Sequence, residues 1–151
     1  MNYKETWANC AESVCKLSLY NENNEQFASG TGFKARGFLI TNSHVITVSN
    51  CKYVEIQFND INRDGAVILL KYKYSDFISM IVKESPEEKW DYVVINIDCS
   101  VFSQIPSLIL CSDYHYLIGS EISIIGFPFS AKELSMHKGI ISSKYKKNNV
   151  N

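Results

Sequence analysis

Gly30-Thr31-Gly32-Phe33, followed by Gly37-Phe38-Leu39-Ile40-Thr41-Asn42-Ser43-His44-Val45-Ile46, is the stretch on which the reading of this chain turns. It predicts two short apolar strands, the second running into a histidine. An imidazole is the side chain best suited to proton transfer near neutral pH. Held where a strand stops, His44 would have a rigid base and an open face.

Working outward, the signals are those of β structure. Val14 to Tyr20 alternates, and Asn21 to Glu25 is a polar turn cluster. Phe27 to Lys34 and Phe38 to Thr41 form the next pair of strands, separated by Ala35-Arg36-Gly37. Val54, Ile56 and Phe58 alternate with Glu55 and Gln57, the period of a half-buried strand. Asp64-Gly65 is the turn signal of a hairpin into Ala66 to Tyr74. Further strands are expected at Ile78 to Val82, Tyr92 to Ile97, Ile105 to Leu110, Glu121 to Phe127 and Gly139 to Ser143, with Ser85-Pro86-Glu87-Glu88 a polar loop. Only Tyr3 to Glu12 has apolar groups close to helical spacing, at Trp7, Ala8 and Ala11. Many short strands with turn residues between them indicate a barrel or sandwich, so the expected class is all-β.

Composition sets limits. The 151 residues suffice for one domain with a real core, or one and a half small barrels. A hydrophobic content of 46% and aromatic content of 13% argue for a packed protein rather than a disordered one. The formal net charge of −1 points to neither nucleic acid nor an anionic membrane. The cluster Lys144, Lys146 and Lys147 reads as a solvated tail. No apolar segment behind basic residues marks the first sixteen residues as a secretory signal, and no apolar run is long enough to cross a bilayer. Cys10, Cys15, Cys51, Cys99 and Cys111 are odd in number and irregular in spacing, without a Cys-x-x-Cys pair. Reduced thiols and a cytoplasmic location are therefore expected. No acidic or histidine cluster has metal-ligand spacing, and no cofactor is implied.

The histidine segment resembles that of trypsin-like, chymotrypsin-fold serine proteases, most closely the intracellular and bacterial type, where Gly-Ser/Thr-Gly-Phe precedes Leu-Thr-Asn-x-His-Val. Two further stretches resemble the same family in the same order. Asp91-Tyr92-Val93-Val94-Ile95-Asn96-Ile97 is similar to the strand that the family's aspartate opens. Ile125-Gly126-Phe127-Pro128-Phe129 followed by Gly139-Ile140-Ile141-Ser142 is similar to the opening of the family's second barrel. The resemblance implies a Greek-key β-barrel with a short N-terminal helix. Residues 1–12 would be the helix, 13–100 a first, six-stranded barrel bearing His44 and Asp91, and 101–151 the connection and first strands of a second barrel.

It also implies roles: His44 as general base and acid, Asp91 as the carboxylate that orients it, and hydrolysis of peptide bonds in a protein or peptide substrate. The 47 residues from 44 to 91 leave room for three or four strands between the two. Asp98 competes for the orienting role, but at the far end of the same strand it should sit at the opposite rim. His115 reads as a surface or packing histidine, and His137 as structural on a second-barrel strand.

The family's nucleophile lies in Gly-x-Ser-Gly-Gly, or Gly-x-Cys-Gly in cysteine variants, and neither occurs in these 151 residues. Ser29-Gly30-Thr31-Gly32 precedes the histidine and belongs to a first-barrel strand. Three readings therefore stand: a serine protease whose serine lies elsewhere, a chymotrypsin-fold cysteine protease, and a non-catalytic barrel that binds a peptide or protein partner. Exposed strand edges would favour self-association and poor solubility.

Overall fold

The computed structural model describes residues 2–60, 63–111 and 116–143. The chain opens with helix α1 (Tyr3–Cys10), begun by Asn2, whose side chain accepts the Glu5 amide at 3.2 Å. A 3-10 turn, Ala11–Ser13, leads into β1 (Val14–Tyr20). Next come β2 (Gln26–Ala35) and β3 (Phe38–Thr41), with Arg36 and Gly37 between them both at positive φ, as a tight hairpin turn requires. A single helical turn, α2 (Ser43–Ile46), precedes β4 (Tyr53–Asn59) and β5 (Val67–Lys73). After α3 (Tyr74–Ser79) come β6 (Ile81–Ser85) and β7 (Tyr92–Ile95). Helix α4 (Ser100–Gln104) follows, then the hairpin β8 (Glu121–Gly126) and β9 (Ser135–Ile140).

The first seven strands form one antiparallel sheet in the order β5-β4-β1-β2-β3-β7-β6. Its two end strands, β5 and β6, are joined in sequence by little more than α3, so the sheet must curl to bring them near each other. Curling encloses one core: Cys15, Leu17 and Leu19 of β1, Val54, Ile56 and Phe58 of β4, Leu39 of β3, and Val93 and Ile95 of β7 are fully buried. The all-β barrel architecture expected from the sequence is the one observed, with seven strands in the sheet in place of six.

Three local expectations are corrected, and one element is added. Ile78 to Val82 is not one strand; α3 ends inside it, because Phe77 on that helix turns fully into the core and Ile78 and Met80 pack beside it. Short apolar runs do not distinguish helix from strand by pattern alone. Ile105 to Leu110 makes only an isolated bridge, Leu108 to Ala35, and Ile109 faces solvent. The preceding turn, α4, went unread in the sequence. It is held by Phe102 in the core and by the Lys34 ammonium, which donates to the carbonyls of Phe102 (2.7 Å) and Ile105 (2.6 Å). Last, the closing strand is Ser135–Ile140 rather than Gly139 to Ser143, since its register pairs Ile140 with Glu121 and Ser135 with Gly126.

β1 also departs from simple alternation. Lys16 and Ser18, on the face away from the core, are buried as well. The loop after β8 covers that face: Lys16 Nζ donates to Ser130 O at 3.4 Å, and Ser29 Oγ to Ser130 Oγ at 2.8 Å. The Phe127 amide donates to Thr31 Oγ1 at 2.9 Å and ties the hairpin to β2.

Candidate active site

His44 is carried one step beyond where the sequence suggested. β3 ends at Thr41, and the histidine lies on the turn α2 rather than on the strand itself. Val45 and Ile46 sink into the core and anchor that turn, leaving His44 outward, its side chain 49% exposed. Gly30 makes the anchoring possible. A Cβ there would lie 2.6 Å from both Val45 methyls, so any other residue on β2 would push α2 off the sheet.

The register of β3 against β7 brings Asp91 to the same place. Ile40 faces Val94 and Thr41 faces Val93, which sets Asp91, just before β7, beside the turn that follows β3. The side chains meet accordingly: His44 Nδ1 is 2.6 Å from Asp91 Oδ2, and the His44 amide donates to Oδ1 at 2.9 Å. One carboxylate thus binds both the ring and the backbone of the same histidine. Asn42 donates through Nδ2 to the Asp91 carbonyl at 2.9 Å. The Asp91 amide donates to Pro86 O at 3.0 Å, while the Trp90 amide donates to the buried Ser85 hydroxyl at 3.1 Å. Asp91 itself has φ of 52°, the left-handed region that non-glycine residues seldom occupy.

Desolvation acts to raise the Asp91 pKa. It is outweighed by the His44 amide, by the hydrogen bond and charge of the imidazole, and by the Ser43 amide, so the carboxyl is held below its ordinary value. An ionised carboxylate on Nδ1 fixes the tautomer with its proton there, which leaves Nε2 as the basic nitrogen. Chemically, the couple can accept a proton from an acid that approaches the exposed edge of the ring and then return it.

The other candidates lie apart. Asp98 stands beside Tyr72 and Cys99: the Tyr72 phenol is pushed up first by burial, then by Cys99, then by the Asp98 charge. His137 is on β9, its Nε2 3.1 Å from Ser135 Oγ. His115 and the Lys144 cluster lie outside the described residues. All five cysteines are free. Among the described residues no three metal-binding side chains cluster, and no helix is long and apolar enough to cross a membrane. Sequence reasoning did not single out Asn42 or the Ser43 amide. The one available signal was the position of Asn42 inside the family-like Thr-Asn-x-His segment.

No family model matches the sequence, and no curated protein does. Solved structures do match. An HtrA-type protease, AlgW, with a bound tripeptide, superimposes with a TM-score of 0.68 at 22% identity, over 100% of this chain and 43% of that one. The serine endoprotease from Yersinia pestis gives a TM-score of 0.64 at 19% identity, over 95% of this chain and 45% of that one. The chain has the chymotrypsin-like fold. It spans less than half the length of either of these similar proteases.

Proposed function

We propose that these 151 residues carry the base and its orienting carboxylate of a trypsin-like serine endopeptidase, with residues 13–100 as its first barrel and residues 101–151 opening its second. The observation that carries this reading is the 2.6 Å contact of His44 Nδ1 with Asp91 Oδ2, made while Oδ1 is occupied by the His44 amide. Two restraints on one carboxylate orient an imidazole, and orientation is what a general base requires. In the reaction, Nε2 of His44 takes the hydroxyl proton of a serine as its oxygen attacks the scissile carbonyl. The resulting imidazolium is stabilised by Asp91 and gives that proton to the departing amine. Water then repeats the sequence and releases the acyl group.

This reading requires a serine, and backbone donors for the oxyanion, that these residues do not themselves carry; the chain spans 43–45% of the length of its structural neighbours. The substrate class is a protein or peptide, and the free cysteines suit the cytoplasm. The test is to express the coding sequence continued past Asn151 and treat it with a fluorophosphonate. Labelling of a serine that His44→Ala abolishes is expected. Labelling by iodoacetamide in its place would assign a cysteine protease. Failure of both, with peptide or protein binding unaffected by His44→Ala, would make the barrel a non-catalytic binding module.

A further inference from the structure

Asn42 occupies the position immediately before α2, where an asparagine side chain ordinarily accepts an amide of the first helical turn. It does not do so here: no side-chain cap bond joins Asn42 to α2. The acceptor for the His44 amide is instead the carboxylate of Asp91, from a different part of the sheet. The asparagine, relieved of capping, turns its amide to the carbonyl of that same aspartate at 2.9 Å. Its orientation is set by chemistry, because only the NH2 end can face a carbonyl oxygen.

The two exchanges interlock. A left-handed backbone at Asp91, φ 52°, costs aspartate less than most residues with a Cβ, but it is still a sparsely populated conformation that the surrounding hydrogen bonds help to hold. The amide of Asp91 is held by Pro86 O, which leaves the carbonyl as the free lever on its conformation. Asn42 holds that lever. We propose that Asn42 is a positioning residue for the His44–Asp91 couple: by fixing the Asp91 carbonyl it keeps the backbone in the conformation from which the carboxylate reaches both the ring and the amide of His44. This inference rests on the reading of that couple as base and orienter. Asn42 and His44 then grip one aspartate at its carbonyl and its carboxylate.

The test uses the 151-residue chain and needs no substrate. Two NMR signatures are followed: the low-field proton on His44 Nδ1, and the titration of the Asp91 carboxyl carbon. In the wild type the low-field proton is present and Asp91 titrates below an ordinary aspartate. Asn42→Ala, and the isosteric Asn42→Asp that replaces the donor by a repelling oxygen, should weaken the low-field signal. Both should also raise the Asp91 midpoint by about half a pH unit or more. Asn42→Gln, with the same amide one methylene further out, should recover part of both. If Asn42→Ala fails to fold, Asn42→Asp carries the test. Folded variants in which both signatures match the wild type would overturn the proposal. Asp91→Asn separates the two levels of inference: a low-field proton that survives it would sink the couple itself, whereas its loss there and persistence in the Asn42 variants would sink only the role of Asn42.

Discussion

The curled sheet β1–β7 and the hairpin β8–β9 are written in much the same alphabet, with aliphatic residues set among polar ones in each. They differ in what lies across from them. Ile56 of β4 faces the opposite wall of its own sheet and is fully buried, whereas Ile124 of β8 is 61% exposed and Ile140 of β9 59%. Phe129, at the loop between β8 and β9, is wholly exposed. The hairpin meets the sheet over only part of its surface: Phe127 is buried and Ile122 and Ile125 are half-buried, while Ile124 and Ile140 stay in water. The hairpin is positioned by a few points of contact, Thr31 with the Phe127 amide and Lys16 and Ser29 with Ser130. Burial thus belongs to topology, not to the isoleucine. The candidate site draws on this difference, since His44 and Asp91 are both mounted on the region that is packed.

The comparison can be broken or sharpened by substitution. The largest effect is expected at the site itself: in the continued chain, Asp91→Asn should lower kcat by about ten-thousandfold, because the imidazole loses the partner that selects its tautomer. Initial rates on a peptide substrate, with Tm as the control for folding, would check this. A residual activity near wild type would remove Asp91 from the mechanism.

Next is the packed core. Phe58→Ala, at a fully buried ring tilted against Phe102, should cost about 3–5 kcal/mol in urea unfolding. A loss below about 1 kcal/mol would mean that the sheet does not close as described. Smaller again is Gly30→Ala. Its methyl group would meet Val45 at 2.6 Å, and the overpacking should cost about 1–3 kcal/mol. Because the displaced element is α2, the low-field His44 proton should weaken too.

On the hairpin, Ile124→Ser should change stability by no more than about 0.5 kcal/mol. It should also reduce any self-association seen by light scattering. A stability loss as large as that of Phe58→Ala would show that β8 is as well covered as β4.

Acid should act on the packed region through Asp91. Its pKa is lowered in the folded state, so its contribution is present above the unfolded value and disappears as pH falls through the folded one. Urea midpoints measured across the acid range should therefore fall less steeply for Asp91→Asn than for the wild type. Identical slopes would mean that the carboxylate gains nothing from its four donors and charges.

Much of this was legible before any coordinates. The period of two in β1 and β4, the turn residues at Gly37 and Gly65, and the histidine segment all express local chemistry, and local chemistry is what a sequence carries. Three of the misreadings share one cause. At Ile78, at Ile105 and at the helix around Phe102, the deciding partner lies far along the chain: the sheet interior for Phe77, and Lys34 for the carbonyls of α4. No window of neighbouring residues contains that information.

The same division runs through the site. The amino-acid sequence by itself determined an all-β chain, an imidazole following one strand, and a carboxylate at the start of another 47 residues later. That these two groups meet at 2.6 Å was decided by the antiparallel register of β3 and β7. What surrounds that meeting is equally tertiary: Asn42 and Pro86 bond the backbone of Asp91, and Val45 is seated over Gly30. Chemical identity is a property of single residues, but orientation is a property of pairs, and pairs exist only once the chain has folded.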